Sequence, residues 1–497
     1  MTDHTAQIPN QPSFSEQEQI RREKLQALLD QGCSPYSLTS YDVTHSAVQI
    51  ADGYDELEGK TVSVAGRVLS RRIMGKASFA HLRDASGDIQ LYIKRDDVGE
   101  EAYNAFKNSD LGDIQGVKGF VFKTRTGEVS IHAQEVTLLS KCLKPLPEKF
   151  HGLQDADLRY RQRYLDMIVN PQVRDTFIKR SRIITAIRSF MDARGFLEVD
   201  TPILHTLEIG AAARPFQTHH NTLDIDMYLR VETELYLKRL IVGGFDKVYE
   251  IGRIFRNEGM SPRHNPEFTT IELYQAYADY QDMMDLAEDM FRSVALEVCG
   301  TETLTYQGQE IRLHAPWARL TMAEAVKQYS GIDFFAWEND EQARACLDER
   351  HITYEKGATR GDCLPLLFDE YVEKNLIQPT FIMDYPVENS PLAKRKPDDP
   401  RLTERFEIFI CGSEFGNAFS ELNDPIDQRA RFVRQVEERR ALGGKNAKVD
   451  EDYVNALEYG LPPTGGMGIG VDRLIMLLTD SASIRDVLLF PTMKPLG

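Results

Sequence analysis

Only six cysteines occur in 497 residues (Cys33, Cys142, Cys299, Cys346, Cys363 and Cys411), and no two stand closer than 17 positions. That spacing excludes a C-x-x-C zinc or redox signature and fits reduced thiols in an intracellular chain. No apolar run approaches the roughly 18 residues needed to span a bilayer. The first segment, Met1 to Phe14, is polar, carries Pro9 and Pro12, and has neither region of a secretory signal. The expected location is therefore the cytoplasm, with no membrane partner. Histidines at helical metal-ligand spacing are missing too, and the adjacent His219 and His220 face apart on a strand. A glycine-rich P-loop is absent. Positive charge is scarce, with a net charge of −18. It is unevenly spread: Lys60 to Lys149 holds 15 Lys and Arg against 11 Asp and Glu, a balance of +4, so the rest carries −22. An acidic body with one mildly basic module is compatible with a nucleic-acid partner, and equally with ordinary surface charge.

What is present is ordinary globular material, 42% hydrophobic and 27% charged, in a chain long enough for two or more cores. Residues 1–14 read as a disordered tail. Ser15 to Glu18 has capping-box spacing and opens a helix reaching about Asp30. Its Arg21, Arg22 and Lys24 form a basic cluster that reads as a solvated helix face or as part of a binding surface. From Thr61 to about Lys141 the texture is short alternating strands: Val62–Val68, Ser78–Leu82, Ile89–Ile93, Ile114–Phe122 and Val129–His132. With a helix near Glu100–Lys107, that is the count of an OB-fold barrel. Such barrels bind single strands by stacking bases on aromatics in a basic groove, and Arg71, Arg72, Phe79, Gln90 and Tyr92 suit that use. A structural spacer is the alternative.

Residues 15–143 thus form a first domain and 144–160, marked by Pro145 and Pro147, a linker. Residues 161–497 form a second domain. In it Val173–Arg194 is an amphipathic helix with Phe177, Ile184, Ile187 and Met191 on one face, followed by a strand from Phe196 to Pro202. Residues 223–230 alternate as a half-buried strand. Antiparallel strands interspersed with helices predict an α+β fold, with a helical insertion at about 320–385.

Two hairpins carry the chemistry. Val248–Arg256 and Glu267–Tyr274 are strands around a loop. Period-two alternation puts Phe268, Thr270, Glu272 and Tyr274 on one face and Glu250, Gly252, Ile254 and Arg256 on one face of the partner. If these faces coincide, a guanidinium, an aromatic ring and a carboxylate converge. Arg256 suits a phosphate and Phe268 a purine, with Glu258, Arg263 and His264 in the loop. The plainer reading is a charged hairpin with a buried ion pair. In the second hairpin, Arg405–Ile410 and Asn417–Leu422 flank a turn near Gly412. Glu407 and Glu414 lie where they could hold magnesium, and Glu421 shares a face with Asn417 and Phe419. Downstream, Gly466, Gly468 and Gly470 alternate with apolar residues and lead to Arg473 at a helix start.

The Phe-Arg-Asn-Glu-Gly run at 255–259 with Arg263–Thr269 resembles motif two of class II aminoacyl-tRNA synthetases. The helix and strand ending at Pro202 resemble motif one, and Gly-x-Gly-x-Gly-x-x-Arg ending at Arg473 resembles motif three. Their order, behind an OB segment, is similar to the subgroup serving aspartate, asparagine and lysine. Residues 71–79, 149–155 and 419–424 resemble the bacterial-type lysyl-tRNA synthetase family. The resemblance implies ATP, lysine and tRNA(Lys) as ligands, two or more magnesium ions with ATP, and a homodimer joined at motif one. It implies that Glu272, Tyr274, Phe419 and Glu421 surround the side-chain ammonium. Gly210, Glu234 and Asn417 would hold the amino acid's backbone end, and Arg256 its carboxylate and the ATP α-phosphate. ATP would meet Glu258, Arg263, His264, Asn265, Phe268, Glu407 and Arg473, with Glu407 and Glu414 on magnesium. Arg72, Phe79 and Gln90 would read the anticodon. Three departures stand out: no proline-glycine pair at 206–210, a Val231-Glu232-Thr233 lead-in to Glu234, and Ala418 where glycine is common. A ligase acting on a protein would lack the barrel, and a catalytically dead RNA binder would lack Arg256, Glu407, Glu414 or Arg473.

Overall fold

Alternation of small apolar residues with polar ones builds the first part of the molecule. Strands β1 (Thr61–Met74), β2 (Ala77–Arg83), β3 (Asp88–Lys94), β4 (Ile114–Lys123) and β5 (Val129–Ser140) close into a barrel of order β1-β2-β3-β5-β4. The inward set, including Val64, Val68, Leu82, Leu91, Ile93, Val117, Val121 and Ile131, has no measurable exposure. Closure leaves no open sheet edge. β1 serves two partners, pairing with β4 through Arg67 and with β2 from Arg67 onward. Gly66 permits the crossing, because a Cβ there would lie 2.4 Å from the Arg83 carbonyl oxygen. All five expected strands and the helix Glu100–Asn108 are present.

The computed structural model describes residues 15–147, 153, 155–208, 213–441 and 448–496. They fall into two compact units, Met1–Gln154 and Asp155–Gly497. The expected tail at 1–14 lies outside the described residues. Helix Glu16–Asp30 begins with the Ser15–Glu18 capping box. Its basic cluster is not simply solvated. Arg21 donates to the carbonyls of Cys142 and Lys144 at 2.8 and 3.1 Å, and Lys24 pairs with Asp110 at 2.7 Å. Helix Ala156–Arg161 forms within the stretch read as a linker.

The second unit is built on an eight-stranded sheet. Its strands are β6 (Leu197–Glu198), β7 (Lys247–Phe255), β8 (Glu267–Ala276), β9 (Ala318–Thr321), β10 (Thr380–Met383), β11 (Arg405–Phe409), β12 (Glu414–Ser420) and β13 (Thr464–Gly470), ordered β9-β10-β11-β12-β13-β8-β7-β6. Only the outer pairs β9/β10 and β6/β7 are parallel. Helices Pro171–Asp192 and Tyr280–Cys299 cover one face. The buried stripe of the first is Val173, Ile183, Ala186, Ile187, Phe190 and Met191, so the expected face is rotated and Phe177 and Ile184 sit at its margin. Phe177 instead stacks under the Arg163 guanidinium at 5.4 Å. The strand expected through Pro202 shrinks to Leu197–Glu198, because β7 offers pairing only at Val248 and Tyr249. The expected insertion contains helices Met322–Ser330, Asp340–Asp348 and Arg360–Tyr371 around a separate core. The stretch also includes β10, which belongs to the main sheet.

Candidate functional site

The sheet register decides what faces what. Phe406, Ile408, Ala418, Met467, Ile469, Ile271 and Leu273 point into the core, none more than 1% exposed. The opposite face carries one row of Glu407, Asn417, Gly468 and Glu272, and a second of Arg405, Phe419, Gly466 and Tyr274. Because β13 presents Gly466, Gly468 and Gly470 in succession on this face, the middle of the sheet has a floor without side chains. A cavity of about 710 Å³ lies there, a volume suited to a nucleotide or another small ligand.

The first hairpin forms the outer wall. Glu250 lies opposite Glu272, Gly252 opposite Thr270 and Ile254 opposite Phe268, so the two expected faces coincide. Arg256 stands just past β7, its backbone N–H on Pro266 O at 2.8 Å and its guanidinium 5.4 Å from the Phe268 ring centroid. Among the described residues it makes no ion pair, so its charge is uncommitted. Glu258, Arg263 and His264 are exposed and line the cavity. Partial desolvation, then repulsion from Arg473, lowers the His264 pKa. Asn265 also lines the cavity but spends its amide N–H on Glu267 O at 2.7 Å, bracing the loop. The plainer reading is also realised: Arg230 and Glu250 form a buried ion pair at 2.5 Å on the same face of the hairpin as Glu272. Gly252 makes room for it, since a Cβ there would lie 2.3 Å from Arg230 Nη2.

The second hairpin supplies the acidic side. Arg405 donates to Asn417 Oδ1 at 2.9 Å and to Glu407 Oε1 at 2.7 Å, fixing both side chains. Burial, and then the charge of Glu414, pushes the Glu407 carboxyl up to about 7. A buried carboxyl facing a second carboxylate fits a hard cation drawing its other ligands from phosphate and water. Arg473, on helix Val471–Leu478, donates to the Glu414 carbonyl and approaches His264 Nε2 at 3.4 Å.

At the inner end Glu234, Glu272, Tyr274 and Phe419 line the cavity. Burial, then the charge of Glu234, pushes the Glu272 carboxyl up to about 7, while the Thr233 N–H approaches it at 3.4 Å. Glu421 is fully buried behind this wall and pairs with Lys238, which also pairs with Glu234. Gly210 lies outside the described residues. Sequence reasoning passed over Lys238, Arg405 and the loop Glu388–Ala393 that also lines the cavity. The i, i+4 spacing of Glu234 and Lys238 was visible, but it is the spacing of countless surface pairs.

On the barrel, Arg72 pairs across from Phe79, and Phe79 from Tyr92, with ring centroids 5.0 Å apart. The outward aromatic patch continues through His132 to Phe120 and Phe122, residues the sequence reading did not single out. The signal was the alternation about inward Val121. Gln90 donates to Glu128 at 2.6 Å and accepts from Ser130 at 2.9 Å. Arg71 is not free for a phosphate, because it holds Phe106 O and Ser109 at 2.7 to 3.0 Å.

Comparison with known proteins matches this division. Residues 155–494 match the family described as tRNA synthetases class II (D, K and N), and residues 62–139 the OB-fold nucleic acid binding domain. Similar proteins named lysine--tRNA ligase include that of Thermoanaerobacter pseudethanolicus, 57% identical over 98% of this chain and 97% of its own. That of Moorella thermoacetica is 59% identical over 96% of this chain and 97% of its own. A likeness of this extent, on a sheet where the segments 255–269 and 466–473 meet at one cavity, places the family beyond argument: the chain belongs to the class II tRNA synthetases of the D, K and N group.

Proposed function

We infer that this enzyme is a lysine--tRNA ligase, which joins lysine to ATP as lysyl-adenylate and then to the 3′ end of tRNA(Lys). The observation that carries the amino acid's identity is the buried Glu272 carboxylate at the inner end of the cavity, with Glu234 beside it and Glu421 behind. A cation satisfies such a wall; a neutral side chain would leave buried charge unpaired. Tyr274 and Glu272 would take the side-chain ammonium and Glu234 the α-amino group. Asn417 would steady the backbone end and Arg256 would reach the carboxylate. ATP would lie between Phe268 and Arg473, with Glu258, Arg263 and His264 toward its polyphosphate.

In the first step a lysine carboxylate oxygen attacks the α-phosphorus in line, and the bond to the β-phosphate bridging oxygen breaks to release pyrophosphate. Arg256 draws charge from the α-phosphate as it develops. In the second, the terminal ribose hydroxyl attacks the acyl carbonyl and AMP leaves. Magnesium held by Glu407 and Glu414 would supply charge neutralisation on the phosphates. The barrel would read the anticodon through Arg72, Phe79 and Gln90. The enzyme would act in the cytoplasm as a homodimer. ATP–pyrophosphate exchange with lysine, aspartate and asparagine side by side tests this reading: exchange with lysine alone is expected, and exchange with aspartate alone refutes it.

The raised Glu272 pKa sets a pH dependence. Glu234 faces Glu272 as a like charge, and Arg256 opposes it. Between an ordinary 4.5 and about 7 the folded protein holds a proton that the unfolded chain has released. This group's contribution to stability therefore falls as pH rises through that window. A bound ammonium needs the carboxylate ionised. Lysine affinity, measured by calorimetry without ATP, should rise about tenfold per unit below pH 6 and level off above pH 7. Glu272→Gln should weaken binding and flatten the profile; an unchanged slope in that variant would show that another group titrates.

A further inference from the structure

The amino-acid wall already contains an ammonium. Helix Glu234–Val242 sets Lys238 one turn beyond Glu234, and Lys238 has no exposed surface. Its Nζ pairs with Glu234 Oε1 on its own helix and with Glu421 Oε2 at the end of β12. Around it stand the rings of Phe419, Tyr274 and Tyr453, with centroids 5.4, 5.9 and 5.9 Å away. Apart from Lys238, neither Glu421 oxygen has a polar partner among the described residues. Burying such a carboxylate with no counter-charge is strongly unfavourable. Two residues of this cage, Tyr274 and Phe419, also line the cavity. The same wall that would meet a substrate ammonium on its open side thus holds a resident one on its closed side.

We propose that Lys238 is a positioning residue for amino-acid selection: it balances one of the three carboxylates Glu234, Glu272 and Glu421, and so holds the wall two charges short. Two is the number of ammonium groups on lysine, while its carboxylate has Arg256. Lys238 acts through its neighbours and touches no reacting atom. Its pairing opposes the burial that raises the Glu421 pKa, and it holds Glu234 along the wall. Without it, the three carboxylates would repel one another and take up protons, so the wall would lose both its shape and its charge.

This inference rests on the lysine reading, and the two fail separately: exchange by the unaltered enzyme with lysine tests the reading, and a mutant cycle tests Lys238. Lys238→Met keeps the length and removes the charge. It should raise the lysine KM about 100-fold while the ATP KM stays within about threefold, since the ATP side shares no contact with Lys238. Adding Glu421→Gln to Lys238→Met removes the stranded carboxylate. The double variant should bind lysine about tenfold better than Lys238→Met alone, although Glu421→Gln alone weakens binding. A lysine KM in Lys238→Met within about threefold of the parent overturns the proposal, as do effects that simply add in the double variant. If Lys238→Met does not fold, the double variant decides. A folded double variant with a lysine KM no worse than that of Glu421→Gln supports the coupling, and one that is worse, or that does not fold, assigns Lys238 to the fold alone.

Discussion

Arg256→Ala should cost about a thousandfold or more in lysine-dependent ATP–pyrophosphate exchange, because among the described residues lining the cavity this guanidinium is the one cation without a strong partner. Arg405, on the same face of the sheet, is committed to Asn417, Glu407 and the 389–390 backbone and side chain. Arg473 is committed to the Glu414 carbonyl. Arg256 has only a weak 3.4 Å contact from Nε to Val231 O and its place over the Phe268 ring. A charge left unpaired beside a partly buried cavity is poised for an anion that arrives with the substrates. The loss should fall mainly on the rate of exchange, since the group meets charge that develops on the α-phosphate. Arg256→Lys should recover only part of it, because an ammonium lacks the planar fork. Circular dichroism and melting should be unchanged for both variants, as Arg256 pairs with no buried partner. Near-normal exchange in Arg256→Ala would remove this residue from the reaction.

Much of this was readable from residue order because it depends on period two. Where a strand has one core face and one open face, alternation fixes both at once. That is why β7, β8 and β11 were placed closely, down to the coincidence of the Glu250 and Glu272 faces, whereas β12 runs Glu414–Ser420 instead of Asn417–Leu422 and leaves Glu421 past its end. The barrel followed for the same reason. What failed depends on contacts between distant parts. The face of helix Pro171–Asp192 is set by what packs on it, so a plausible apolar stripe through Phe177 was rotated from the real one. Strand β6 is short because its partner offers two positions. Arg71 resembled a phosphate ligand until helix Glu100–Asn108 placed Phe106 O within its reach. Lys238 was invisible because its second partner, Glu421, is 183 positions away in the chain. Each of these is a tertiary fact, and no local pattern carries it.

The glycines of β13 separate a structural requirement from a functional one. At Gly466 an added Cβ would stand 2.0 Å from Glu421 Oε1 and 2.5 Å from Tyr274 Cε1. Neither neighbour can retreat, since Glu421 is 0% and Tyr274 3% exposed. Gly466→Ala must therefore displace the carboxylate that pairs with Lys238 and the ring beside it. It should cost about 3 kcal/mol of stability and, by misplacing the wall by an ångström or so, about 300-fold in lysine KM. At Gly468 the nearest atom to an added Cβ is Glu272 Cγ at 3.5 Å, an ordinary contact. Gly468→Ala should fold with wild-type stability within about 0.5 kcal/mol. Its methyl would nonetheless occupy the bare floor between Asn417 and Glu272, and the lysine KM should rise about tenfold. The pair is read by melting and by lysine titration on the same samples. If Gly468→Ala binds lysine normally, the bare floor is not where the amino acid lies. If Gly466→Ala is as stable as the parent, the wall of Glu421, Lys238 and Tyr274 yields more easily than its burial allows.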